Sequence, residues 1–197
     1  MDDEPTTTKL MNAIGMALAR WSTVELHLCS LFQNIADMPS KDRAASMFDS
    51  IISLETRLAV VSNLMEGEDV DRVEAEMWRR MSAQLLTSYK KKRHPIAHFS
   101  IRSRGGVPHV APFLTHTKLW VTGETLLSAE EIEERGEHFT LLARAITWFT
   151  IRAVHRRVRS ETNQPTPPQE DQFVARLREL AIQNLAETKP RAQSSQV

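Results

Sequence analysis

The chain has 197 residues, 41% hydrophobic and 6% aromatic, and its 25 Lys+Arg balance 25 Asp+Glu to a formal charge of zero. That length suits one domain with an appendage, and the apolar share is enough for a core, which excludes wholesale disorder. Neutrality excludes a uniformly basic coat for nucleic acid, so any polyanion has to bind a local patch.

From Leu10 the apolar residues Ile14, Ala17, Leu18, Trp21, Val24, Leu28, Leu31, Phe32 and Ile35 step by three and four, which predicts a long amphipathic helix. The run Thr6 to Thr8 offers its N-cap, and Pro39 marks the turn after it. Ser40 then caps a second helix with the stripe Ala44, Met47, Phe48, Ile51, Leu54, Leu58, Val61 and Met65, closing near Gly67. These two helices are expected as antiparallel neighbours. A third starts around Asp69, carries Val70, Val73, Met77, Met81, Leu85 and Tyr89, and runs into Lys90, Lys91, Lys92 and Arg93. Pro95 is expected to stop it, because proline disfavours helical backbone at His94 and has no amide proton.

Residues 96 to 127 change period: Phe99, Ile101, Val107, Val110, Phe113 and Leu114 surround the turn Arg104, Gly105, Gly106, which predicts a β-hairpin. Pro108 and Pro112 keep it at an edge. Ser128 with Glu131 forms a capping box that opens a fourth long helix, with Ile132, Phe139, Leu142, Ile146, Phe149 and Ala153 inward and an end near Ser160. A proline-rich linker follows at 161–169, then a short helix at 170–187 built on Phe173, Val174, Leu177, Leu180, Ala181 and Leu185, and a disordered tail at 188–197. The expectation is an all-α protein: an up-and-down bundle of four long helices over 8–160, with a small β-hairpin insertion at about 96–127 and a short C-terminal helix.

The lone Cys29 rules out an internal disulfide. The start, Met-Asp-Asp-Glu-Pro, lacks the basic and apolar regions of a signal peptide, and no apolar stretch approaches the roughly 18 residues of a membrane span, so a cytoplasmic protein without membrane contact is expected. Six glycines, two of them adjacent, provide no glycine-rich phosphate loop.

The segment from Lys91 to Phe99 reads Lys-Lys-Arg-His-Pro-Ile-Ala-His-Phe, an arginine at the end of a long helix with a histidine five positions on. An arginine, a polar residue and a short gap ending in Ala-His resemble the signature of the HEPN superfamily, over roughly residues 8 to 158. The resemblance implies a helical bundle, commonly a homodimer, and a metal-independent endoribonuclease in a toxin, stress or phage-defence setting. Arg93 and His98 match the family's arginine and histidine, and His94 occupies the polar position. Pro95 and Phe99 are less usual there. The bare spacing recurs by chance about 0.6 times in a chain of this composition, by simple counting. Arg104 and His109 repeat it beside the Gly-Gly turn, where no helix ends. Helix termination, His94, the small Ala97 and the lysines upstream distinguish the first pair.

Imidazole titrates near neutral pH and can carry a proton to or from a ribose 2′-hydroxyl or a leaving 5′-oxygen. Arginine's fork of donors can hold the scissile phosphate without a metal ion. One histidine is hardly acid and base in the same step, so a two-fold pairing that shares two copies of His98 is expected, with a 2′,3′-cyclic phosphate as product. Lys90, Lys91 and Lys92 are candidates for flanking phosphates, and Tyr89 for stacking on a base. The same run also reads as a solvated helix end. Glu25, beside Trp21 and Leu28 on the first helix, either pairs with Arg93 or orients His98, or is a plain surface glutamate.

A second cluster, Arg152, His155, Arg156, Arg157 and Arg159, ends the fourth helix, and Glu130, Glu131, Glu133 and Glu134 suit its start as caps. His94 and His98 would share a helical face, but Pro95 intervenes, no His-Glu-Xaa-Xaa-His sequence exists and Cys29 has no thiol partner, so no metal and no cofactor are expected. No Gly-Xaa-Ser-Xaa-Gly elbow appears. Met11, Met16, Met47, Met65, Met77 and Met81 fit core stripes, and Trp148 and Phe149 fit a core or an interface. Against the nuclease stands a non-catalytic module, in which the motif only knits helix to hairpin and a dimer surface recruits RNA, a nucleotide or a protein partner such as an antitoxin.

Overall fold

The first stripe folds as α1 (Asp3–Ile35) in a computed structural model that describes residues 3–67, 70–112, 126–161 and 169–187. Helix α1 starts before the threonine run, not in it. Pro5 lies in the first turn, where its missing amide removes no helical bond, so the threonines continue the helix. Asp37, with φ of 49°, turns the chain before Pro39.

The stripe expected as one second helix is two: α2 (Lys41–Asp49) and α3 (Leu54–Met65). Ser53 makes the break, because its hydroxyl accepts from Thr56 N at 3.2 Å and so starts a new helix. Arg57 bridges the gap, donating from Nε to the Ile51 carbonyl at 2.7 Å with its guanidinium 5.0 Å from the Phe48 ring centre. Next comes α4 (Arg72–Gln84), capped by the Asp71 carboxylate, then one π-helical turn (Leu85–Tyr89), then α5 (Lys90–Ala97).

Strands β1 (Phe99–Arg104) and β2 (Val107–Pro112) pair antiparallel with Arg104 opposite Val107, leaving Gly105 and Gly106 as the two-residue turn. Their φ values of 62° and 82° are those a type I′ turn demands, which is why two glycines stand there. Val110 also bridges to Leu127. The capping box forms as expected: Ser128 N donates to Glu131 Oε2 at 2.8 Å and Glu131 N to Ser128 Oγ at 3.3 Å, opening α6 (Ala129–Glu161). Helix α7 (Gln172–Glu187) is capped by Asp171. Among the described residues the protein is thus mostly helical, with one small two-stranded sheet. The linker expected at 161–169 falls mainly, and the tail expected at 188–197 wholly, outside the described residues. Among the described residues no helix is long and apolar enough to cross a membrane.

Two compact units form, with α1 and α6 contributing to both. In the unit made of the chain through Leu28 and Leu85–Ile146, Trp21 meets Phe139 edge-on at 5.2 Å, Tyr89 lies 6.5 Å from the same ring, and His27 Nδ1 donates to the Ala143 carbonyl at 3.0 Å. In the unit made of Cys29–Gln84 and Thr147 onward, Trp78 packs edge-on against Phe149 at 5.5 Å and donates Nε1 to Ser62 Oγ at 2.9 Å. Trp148 and Phe149 are both core residues. Met65, Met77 and Met81 are buried as expected, but Met11, Met16 and Met47 are about half exposed, at 46%, 55% and 55%. The three lie beside the inward stripe and not in it, a distinction that methionine's neutrality as a helix former does not encode.

Candidate functional site

The site rests on a helix that proline does not stop. α5 runs through Pro95 to Ala97, and His98 N donates to the His94 carbonyl at 3.0 Å to close its last turn. Proline removes the amide that would face Lys91, and the π turn just upstream has already loosened the helical ladder. One residue on, the Lys92 carbonyl accepts from Arg135 of α6 at 3.1 Å, so a side chain of another helix supports the disturbed turn. Burial lowers the Arg135 pKa from its ordinary value, against the opposing pull of Glu131 and Glu134.

His94 and His98 therefore share a face at the end of α5. Both are exposed, and their ring centres lie 4.9 Å apart at a 50° tilt. Arg93 is half-buried, its Nε is buried without a hydrogen-bond partner, and among the described residues it forms no ion pair. Ser100 Oγ, two residues past His98, is likewise buried without a partner. Lys90 and Lys91 stand exposed on the same short helix. The structure thus gathers two reachable imidazoles, a guanidinium with an uncommitted donor and two solvated cations within nine residues.

Not every candidate joins them. Tyr89 is only 8% exposed, its ring is turned toward Phe139, and burial raises its phenol pKa, so it presents no open face for a base to stack on. Lys92 is half-buried, with Nζ 5.6 Å from the Tyr89 ring centre and donating to His138 Nδ1 at 3.1 Å. An ammonium only donates, so that His138 nitrogen is the acceptor. Glu25 is half-buried and pairs with neither Arg93 nor His98 among the described residues. No family model, curated protein or solved structure matches the chain.

His109 turns its Nδ1 to the Val107 carbonyl at 2.8 Å, bound to its own strand. The second basic cluster is neutralised from within: Arg152 and Arg156 both bind the buried Glu74, and Arg157 binds Asp37 at 3.0 Å. Its Arg159 side chain lies outside the described residues. At the start of α6, Glu131 closes the capping box and Glu130 binds Lys9 at 2.5 Å. Burial raises the pKa of the half-buried Cys29, which weakens it as a nucleophile. Among the described residues no three His, Cys, Asp or Glu side chains cluster closely enough to hold a metal ion.

Sequence reasoning missed Arg135 and His138, the two α6 side chains that support the motif helix. The available signal was their spacing: three apart, flanking the inward stripe at Ile132, Phe139 and Leu142, they point the same way as that stripe.

Proposed function

We propose that the chain is a metal-independent endoribonuclease of the HEPN kind, acting as a homodimeric helical bundle in a toxin or phage-defence setting and leaving 2′,3′-cyclic phosphate ends. The observation that carries this reading is the pair of exposed imidazoles beside Arg93, whose buried Nε is not spent on the fold. Arg93 holds the scissile phosphate and neutralises charge developing on its oxygens. His98 accepts the 2′-hydroxyl proton as the 2′-oxygen attacks phosphorus and the bond to the 5′-oxygen breaks, and an imidazolium returns a proton to that leaving oxygen. His94 shapes the turn and assists. A two-fold dimer supplies a second His98. Lys90 and Lys91 hold flanking phosphates.

The second reading, a non-catalytic RNA- or protein-binding module, draws support from the inward placement of Tyr89 and Lys92, which leaves fewer groups to grip RNA. One assay separates the two. Purified protein and its His98→Ala variant are incubated with a mixed RNA pool and excess chelator. Cleavage by the first and not the second supports the nuclease, and RNA retained intact by both supports the binding module.

A further inference from the structure

We propose that the outer edge of β1 is a docking site for an extended, acidic segment of a partner protein, which adds to the hairpin as a third strand.

The backbone decides which edge is open. In a two-residue type I′ hairpin the closing pair, here Arg104 with Val107, is the hydrogen-bonded kind, and the kinds alternate along the register. The pairs Ser103 with Pro108, Ile101 with Val110 and Phe99 with Pro112 therefore turn their amides and carbonyls outward. Val110 fixes the same phase independently, because its N–H and C=O exchange bonds of 2.9 Å with Leu127 on the side away from β1. The outer edge of β2 is thus closed: Pro108 and Pro112 have no amide, and Val110 is taken. On β1 the outward residues are Phe99, Ile101 and Ser103. None is a proline, and none makes a further backbone hydrogen bond among the described residues. Amides and carbonyls alternating along an open edge are the template that another strand fits.

Side chains then choose the occupant. One row of β1 carries Phe99, Ile101 at 43% exposure and Ser103; the other carries Ser100, Arg102 and the exposed Arg104. Side chains of an added strand stand beside these rows, so apolar residues suit the first and carboxylates the second. A second copy of β1 would instead bring two more arginines to the seam, where like charges repel. The arginines thus guard the edge against its own kind while admitting an acidic strand. The chain's own stretches outside the described residues that are long enough to form a strand are not acidic: 113–125 holds Lys118 and Glu124, 162–168 no charge, and 188–197 only Lys189 and Arg191. The edge begins one residue past His98, which puts the partner beside the candidate site.

The test uses a fluorescein-labelled peptide that alternates glutamate with valine and threonine, titrated with the full chain and followed by fluorescence anisotropy. Ile101→Pro removes the central outward amide, which the hairpin itself does not use, and circular dichroism checks that the variant folds. The same peptide methylated on its backbone nitrogens blocks the bonds from the other side and leaves the protein untouched. The proposal expects saturable binding that either change weakens at least tenfold, that Arg104→Glu also weakens, and that lysine in place of the peptide's glutamate abolishes. No binding of the unmodified peptide, binding that survives N-methylation, or equal binding of the lysine peptide overturns it. So does a dimer in analytical ultracentrifugation that Ile101→Pro dissolves, which assigns the edge to a second copy, and so does a single-stranded RNA oligonucleotide whose binding Ile101→Pro abolishes.

Discussion

Lys91 and Lys92 are adjacent and identical in chemistry, yet the structure exposes the first and half-buries the second. Lys91 is exposed, so Lys91→Ala should leave stability within about 0.5 kcal/mol while weakening RNA binding and flattening its salt dependence by about one phosphate contact. Lys92 holds His138 and lies over Tyr89, so Lys92→Ala should cost about 1–2 kcal/mol of stability. Denaturant melts with filter-binding at several salt concentrations check both. Lys9 and Glu130 offer a pH test. The hydrogen bond to Lys9 holds the Glu130 carboxyl down at about 2 against an ordinary 4.5, and Glu130 in turn raises the Lys9 pKa above 10.5. Because the Glu130 pKa is depressed, its contribution is present above pH 4.5 and lost as pH falls toward 2; because that of Lys9 is raised, its share is present below 10.5 and lost as pH climbs past its folded value. Both groups are exposed, so the effect is small, and 1 M salt or Glu130→Gln should flatten the acid limb of the stability curve equally.

At the scale of elements, the clearest prediction concerns the start of α6. Ser128→Ala removes the hydroxyl that accepts from Glu131 N and should cost about 1 kcal/mol in chemical denaturation, with Ser128→Asp restoring most of it. That cap was legible because a serine and a glutamate three apart carry the whole motif, and the hairpin turn was legible because adjacent glycines meet a type I′ requirement locally. The division of α2 from α3 was not, since the apolar stripe is continuous across Ser50 to Ser53 and the competing cap at Ser53 depends on Arg57 reaching back to Ile51. Pro95 misled for a similar reason. Proline's local cost is real, but the π turn before it and Arg135 from α6 accommodate the break, and Arg135 is far from Pro95 in sequence. Of the site, Arg93, His94 and His98 could be found because they lie on one short helix. The inward turn of Tyr89 depends on Phe139, fifty positions away.

Across the molecule, the unit built on α4, α7 and the later part of α6 buries two carboxylates. Glu74 meets Arg152 at 3.2 Å and also Arg156, while Glu76 meets Arg79, Arg80 at 3.0 Å and Asn184 at 2.6 Å. Glu74 has 1% of its side chain exposed, so Glu74→Ala removes the buried carboxylate that Arg152 and Arg156 share and should cost about 3–5 kcal/mol, far more than loss of the exposed Lys9 pair. This scaffold lends stability; the proposed chemistry lies at the end of α5. How RNA is broken there decides whether His98 transfers the proton. Sequencing of termini from RNA cut by the purified protein in chelator should find 2′,3′-cyclic phosphates paired with 5′-hydroxyls, and none above background with His98→Ala. Fragments bearing 5′-phosphates and 3′-hydroxyls, or cyclic ends made equally well without His98, would contradict it.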